Sequence, residues 1–240
     1  MTERIYAIGD IHGQKAMLDG ALARIEADGG AGARTVFLGD YVDRGPDSRG
    51  VIDTFLRGRD AGRDWVFVKG NHDRMFERFL DSGERHDDRI KSGKSWVTPN
   101  LGGEETLASY GVPGAATMEP EALLQAVERA VPDSHRAFLK DLALYHEQGD
   151  FLFVHAGIRP GLPLKWQQED DLLWIRDEFL SDGRDFGHFV VHGHTPVEGP
   201  DLRSNRLNLD TGAGYGRPLS VAVFEGGRIA QLTETGRQPL

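Results

Sequence analysis

The run Arg34-Thr35-Val36-Phe37-Leu38-Gly39-Asp40-Tyr41-Val42-Asp43-Arg44-Gly45 decides the fold. Residues 34–38 have the length and apolar character of a buried strand. The polar loop 39–45 follows, and 47–61 reads as a helix with Asp47 or Ser48 available as its N-cap. Residues 65–68, Trp-Val-Phe-Val, return as a strand. Strand, helix, strand in that order imply a parallel βαβ unit. Sheets of that kind bind ligands beyond the carboxyl ends of their strands, where loop 39–45 lies.

The same grammar extends in both directions. Residues 4–8 form a strand ending in Gly9-Asp10-Ile11-His12-Gly13. Residues 14–27 carry Met17, Leu18, Ala21, Leu22 and Ile25 at helical spacing. After the third strand comes Gly70-Asn71-His72-Asp73, with a helix starting near His72. Gly, Pro and charged residues dominate 81–103, and helical patterns appear near 104–110, 119–130 and 134–143. Residues 83–147 therefore read as a helical insertion, a cap beside the site, within one domain spanning 1–240. Strands at 151–154 and 188–191 lead into His155-Ala156-Gly157 and His192-Gly193-His194-Thr195, with a helical stretch at 169–180 between them. Short β runs at 206–209, 219–224 and 228–233 follow, the last two joined through Gly226-Gly227 as a hairpin turn. The expected class is α/β, or an α+β sandwich of two mixed sheets flanked by helices, with a more antiparallel second half.

Five polar motifs thus follow five apolar runs. Asp10 and His12, two residues apart at a strand end, can point the same way and chelate one metal. Alone, such a pair reads as a turn with a surface histidine. Asp40 has two carboxylate oxygens and can bridge two metals. Arg44 offers a fork for two phosphate oxygens. The amide oxygen of Asn71 suits a hard divalent ion without adding charge. His72 can protonate a leaving oxygen with Asp43 orienting its ring. Asp73 reads as structural, at a helix N-terminus that favours negative charge. His155 and His194 are ligand candidates as members of the ordered set, and His192 has a packing or supporting role. Arg176, in Trp174-Ile175-Arg176, reads either as a second phosphate-binding arginine or as a helix-surface residue. Asp210-Thr211-Gly212 reads as a strand-to-turn element supporting the site.

Composition narrows the chemistry. The chain has 240 residues and no cysteine, so disulfides, zinc–thiolate sites and a cysteine nucleophile are excluded. Its formal net charge of −10 disfavours a nucleic-acid partner, which needs basic surface. No apolar run approaches the roughly 18 residues that span a bilayer, so no membrane partner and a cytoplasmic location are expected.

The ordered set resembles the PPP-type serine/threonine phosphatases within the calcineurin-like metallophosphoesterase superfamily, and is most similar to small bacterial and phage members. The resemblance covers nearly the whole chain, and GDIHG, GDYVDRG and GNHD carry its specificity. It implies that Asp10 and His12 bind a first metal, that Asp40 bridges, and that Asn71, His155 and His194 bind a second. It makes His72 the general acid paired with Asp43, and Arg44 and Arg176 the holders of phosphate oxygens, with Asn71 also facing substrate. Two divalent ions are implied, Mn²⁺ first, with Fe, Zn or Ni open. Pro196 stands where many superfamily members carry a further histidine, which argues against the nuclease-like branch. The leading expectation is a phosphomonoesterase acting on phosphoserine, phosphothreonine or small phosphoesters. The rivals are hydrolysis of dinucleoside polyphosphates such as diadenosine tetraphosphate (Ap4A), and a catalytically silent phosphate-binding module. The oligomeric state is not legible.

Overall fold

Two β-sheets face each other, with helices on both outer sides. The computed structural model describes residues 4–90 and 92–240. The first half runs β1 (Ile5–Ile8), α1 (Lys15–Gly29), β2 (Arg34–Phe37), α2 (Ser48–Asp60), β3 (Trp65–Phe67) and α3 (Asn71–Ser82). Three helices follow, α4 (Gly103–Ser109), α5 (Pro120–Ala130) and α6 (Asp133–Lys140). The second half runs β4 (Tyr145–Gln148), β5 (Phe151–Val154), α7 (Glu169–Trp174), α8 (Asp177–Leu180), β6 (Phe189–His192), β7 (Asp201–Leu202) and β8 (Arg206–Asn208). It ends in β9 (Val221–Glu225), β10 (Arg228–Thr233) and β11 (Gly236–Pro239).

The first sheet has the order β11-β10-β9-β1-β2-β3, and the second β4-β5-β6-β8-β7. In the first, β1, β2 and β3 are parallel while β9, β10 and β11 run antiparallel. In the second, β5, β6 and β8 are parallel and only the edge strands β4 and β7 are reversed. The second half is the more antiparallel one, as expected, but its strands do not form a sheet of their own. Residues 206–208 do join the second sheet, but in parallel. Residues 221–225 and 228–233 cross back to the first, where β9 pairs with β1.

The reason is visible in β9. A strand turns successive side chains to opposite faces. Val221 and Val223 pack in the core shared with α1–α6, whereas Ala222 and Phe224 pack between the sheets. β9 is buried on both faces, so it is a central strand, and the slot beside β1 is where both faces are covered. β1 divides the same way, Tyr6 and Ile8 to the helices and Ile5 and Ala7 to the inter-sheet core. The second sheet sends Phe153, Val191 and Leu207 inward, and Leu152, Val154 and Val190 outward against α7 and α8.

The 83–147 segment supplies three helices, α4 to α6, packed on the core shared with α2 and α3. Its end is not helical. It becomes β4, an edge of the second sheet, and Ala143 pairs with Val68 beside β3. The helical stretch expected over 169–180 is broken at Ile175, whose backbone is extended, so Arg176 lies between two short helices. Among the described residues, no helix is long and apolar enough to cross a membrane.

Candidate active site

Each of the six parallel strands ends beside a polar site residue. Asp10 and His12 follow β1, Asp40 follows β2, and Asn71 and His72 follow β3 as the first turn of α3. From the second sheet, His155 follows β5, His194 follows β6 and Asp210 follows β8. The site therefore sits where both sheets end, in the position expected for ligands of parallel strands.

Asp40 is the centre of this arrangement. Its Oδ2 lies 3.5 Å from His12 Nε2 and its Oδ1 lies 3.5 Å from His155 Nε2. Two groups that could hold a cation share it: His12, Asp40 and His72, and Asp40, His155 and His194. Asn71 Oδ1 joins the second group, 2.9 Å from His155 Nε2 and 2.8 Å from His194 Nδ1.

The histidine tautomers identify which nitrogens face inward. His12 Nδ1–H donates to the Val42 carbonyl at 2.9 Å, and His155 Nδ1–H donates to the Leu38 carbonyl at 2.9 Å. Each Nε2 is thereby left with a lone pair directed at the cluster. Ligating histidines are oriented in this manner, with the second ring nitrogen donating to a backbone carbonyl. Around His155, the inward lone pair meets the Asn71 carbonyl oxygen, an acceptor facing an acceptor, which a cation between them would satisfy. His194 Nε2 is buried without a hydrogen-bond partner.

The electrostatics agree. Burial, then Asp210 and Asp40, raise the Asp10 carboxyl well above its usual range. Burial pushes Asp40 up to about 7. Burial lowers His12 well below its ordinary value and takes His155 down to about 4. Several buried carboxylates beside neutral imidazoles form an O/N donor set that lacks positive charge, and divalent cations fit it.

Asp10 is in neither three-residue group. Its carboxylate instead accepts the His194 backbone N–H, at 3.1 Å and 3.3 Å to its two oxygens. Gly193 makes this approach possible, because a Cβ there would fall 2.0 Å from Asp10 Oδ1. Conversely, His72 stands with His12 and Asp40, although it was expected to act as an acid and not as a ligand.

His72 and Asp43 are paired as expected, with Nδ1 to Oδ2 at 2.6 Å. Asp43 also accepts from Trp96 Nε1 at 2.7 Å and from Thr106 Oγ1 at 2.7 Å. Burial raises Asp43 and lowers His72, while the Thr106 and Trp96 donors oppose the rise on Asp43. These donors suit a carboxylate that accepts and orients an imidazole N–H. Trp96 and Thr106 were not found from sequence. Trp96 lies in the stretch 81–103, which has no periodicity to read, and Thr106 is one polar residue in a short helix.

Arg44 reaches into the cluster. Its guanidinium contacts His12 Nε2 through Nη1, and His72 Nε2 through Nη2 at 2.9 Å. Arg176 is exposed at the edge and donates to Thr195 Oγ1 at 3.0 Å, beside His194. It lines a cleft of about 660 Å³ with Trp174, Arg159 and Arg89. Asp73 binds no part of this cleft. Its carboxylate accepts the backbone N–H groups of Asp40 at 2.8 Å, Tyr41 at 2.9 Å and Gly70 at 2.9 Å, locking loop 39–45 to the start of α3. His192 is buried behind the site, edge-on to Phe179 at 5.0 Å.

A family profile described as calcineurin-like phosphoesterase matches residues 3–216. The asymmetrical bis(5'-nucleosyl)-tetraphosphatase PrpE of Anoxybacillus flavithermus is 31% identical over 213 residues, covering 80% of this chain and 76% of that protein. Its counterpart from Bacillus thuringiensis is 28% identical over 240 residues, covering 90% and 89%. Among solved structures, a candidate diadenosine tetraphosphatase superposes with a TM-score of 0.66 at 24% identity, covering 96% of this chain and 93% of that one. A cold-active protein-tyrosine phosphatase from a psychrophilic Shewanella gives 0.65 at 16%, covering 100% and 81%. At these identities the two structures speak for the fold alone.

Proposed function

Because this chain belongs to the calcineurin-like phosphoesterase family, we propose that it is a two-metal hydrolase of dinucleoside polyphosphates, cleaving a tetraphosphate bridge asymmetrically. The hydrolytic part rests on one observation, the Asp40 carboxylate set between the inward Nε2 atoms of His12 and His155. The substrate part rests on relatives named as asymmetrical bis(5'-nucleosyl)-tetraphosphatases, one of which aligns over 90% of this chain. They reverse the order reached from the motifs alone, which put a serine/threonine or small-molecule monoesterase first.

Asp10, His12, Asp40, Asn71, His155 and His194 would hold two divalent cations, with Mn²⁺ the first to supply. When bound, these supply Lewis acidity at the phosphoryl oxygens and a strong oxygen nucleophile at neutral pH. Arg44 turns from the two imidazoles to pair with phosphoryl oxygens, and Arg176 closes on them from the rim. Asn71, which meets His155 and His194 in the cluster, would also face the phosphoryl group. Once Arg44 has left it, His72 Nε2 can carry a proton to the departing oxygen while Asp43 holds Nδ1–H.

A substrate panel with Mn²⁺ tests this reading. It compares Ap4A, p-nitrophenyl phosphate, its bis ester and phosphoserine and phosphothreonine peptides. We expect Ap4A to give the highest kcat/KM, with AMP and ATP as products. A preference for phosphopeptides would restore the monoesterase reading. Hydrolysis that is indifferent to metal would remove the site assignment altogether.

A further inference from the structure

Among the described residues, Tyr215 is the most exposed of the large apolar and aromatic side chains that reach the surface, at 62%. It is not at a random place. Its ring lies under the Arg44 guanidinium, with Cζ 4.9 Å from the ring centroid. Arg44 in turn touches His12 and His72. One guanidinium therefore separates an open aromatic face from the catalytic cluster. Trp166, also well exposed, belongs to the turn Leu164–Trp166 and carries Lys165 over its own ring.

The loop that presents Tyr215 is tied down by its own contacts. Gly212 and Gly216 bracket a turn of 3₁₀ helix, Ala213–Tyr215, and both are left-handed. Gly212 N–H donates to Asp210 Oδ1 at 2.9 Å, and Thr211 Oγ1 donates to the Pro218 carbonyl at 2.7 Å. Gly214 presses on His12, where a Cβ would lie 2.6 Å from the ring Cδ2. A buried Ala213 anchors the turn. The loop thus fixes the ring relative to the metal ligands, as a specificity element requires.

We propose that Tyr215 is a stacking platform for the base of the nucleotide whose phosphate is bound at the cluster. The proposal rests on the dinucleotide reading above and names the part of the site that would recognise the nucleoside. An aromatic ring accepts any base by its π-face, and the Arg44 guanidinium against its other face is left to hold the phosphate. A phosphate group on Arg44 and a base on Tyr215 would occupy adjacent positions. Substrates lacking a planar ring would gain nothing from Tyr215.

The decisive comparison is AMP against ribose 5-phosphate, which differ only by the base. Binding of each to the Mn²⁺-loaded full chain is measured by calorimetry for the wild type and for Tyr215→Ala, Tyr215→Phe and Tyr215→Trp. We expect wild type to bind AMP at least about fivefold more tightly, near the low end of one base–ring stack. Tyr215→Ala should erase that preference, while the Phe and Trp variants keep it. Equal binding of both ligands by wild type would overturn the proposal, as would a preference surviving in Tyr215→Ala. Equal weakening of both ligands in Tyr215→Ala would also overturn it, since the ring would then act only by supporting Arg44. If Ap4A proves not to be a substrate but the base preference depends on Tyr215, the platform stands and only the functional reading falls.

Discussion

His12, Asp40, Asp43, Arg44 and His194 are the non-glycine residues with positive φ among those described, and all five belong to the site. Such backbone costs on the order of 1–3 kcal/mol per residue and persists only where surrounding contacts hold it. Here the contacts are identifiable: Asp73 grips the Asp40 and Tyr41 amides, and Thr106 Oγ1 accepts the Asp43 N–H at 2.8 Å. The motif residues were legible because chemistry restricts the side chains that can do the work. Of the residues that hold them, Asp73 was legible as structural, but Trp96 and Thr106 were not, because they act through distant contacts that leave no spacing in the chain. The His72 assignment can be tested through its leaving group. A serine alkoxide needs a proton far more than a nucleoside triphosphate does, since the latter leaves as a stable anion. His72→Asn should therefore cut kcat by about 10²–10⁴ on a phosphoserine peptide, and by clearly less on Ap4A, with near-normal Mn²⁺ content. Equal losses on both substrates, or loss of bound Mn²⁺, would instead make His72 a ligand, as its place beside His12 and Asp40 would allow.

Among elements, the apolar strands and the parallel β1–β2–β3 unit were readable, whereas the edge strands β4, β7 and β11 and the pairing of β9 were not. The short apolar run shows that 219–224 is extended, but pairing with β1 depends on which slot buries both faces, a property of the whole sheet. The break between α7 and α8 was hidden for a related reason. Residues 169–180 keep a helical pattern, yet Ile175 leaves the helix so that Arg176 can meet Thr195. The first of the two helices, α7, is tied to α3 through Arg74. Its buried guanidinium joins Asp87 at 2.9 Å and Asp170 at 2.7 Å, and lies 6.0 Å from the Trp174 ring. Asp87 is itself buried, and in Arg74→Met it would keep only the half-exposed Arg78 as an ion-pair partner, at 3.3 Å. Breaking a buried pair from one side costs roughly 3–5 kcal/mol when nothing else compensates the charge left behind. With Arg78 in place, we expect Arg74→Met to lower the unfolding free energy by up to about 3 kcal/mol in urea titrations. The double variant Arg74→Met/Asp87→Leu should recover most of the loss, because neither charge then remains buried alone. A double variant as unstable as the single one would show that the network is not held together by this charge pair.

For the whole molecule, the apolar seam between the sheets and the site at its end are parts of one construction. Ala7, Val36, Phe153, Val191 and Phe224 fill the seam and bring the strand ends of both sheets together. Beyond it the first sheet contributes Asp10, His12, Asp40 and Asn71, and the second contributes His155, His194 and Asp210. Apolar packing stops where buried carboxylates begin: burial raises the proton affinity of Asp10, Asp40 and Asp210, the Asp210 charge adds to the rise on the other two, and Asp40 adds to that on Asp10. Cations shared across that line would do two things at once, offsetting the repulsion and tying one sheet to the other. Metal binding should therefore register as global stability and not only as activity. A ligand at 100 times its Kd stabilises the native state by about 2.7 kcal/mol. In a chain of this size each kcal/mol shifts Tm by roughly 2–4 °C. Each ion held at that saturation should raise Tm by about 5–11 °C, and chelation should reverse both increments, with activity lost and regained in step. Asp40 sits between both groups, so Asp40→Ala should abolish the Mn²⁺-dependent rise in Tm and reduce bound metal below what loss of one separate site would give. If Asp40→Ala still binds one equivalent tightly, the shared-carboxylate arrangement is wrong. If the melting curve ignores Mn²⁺ in the wild type as well, the two sheets are held by the seam alone.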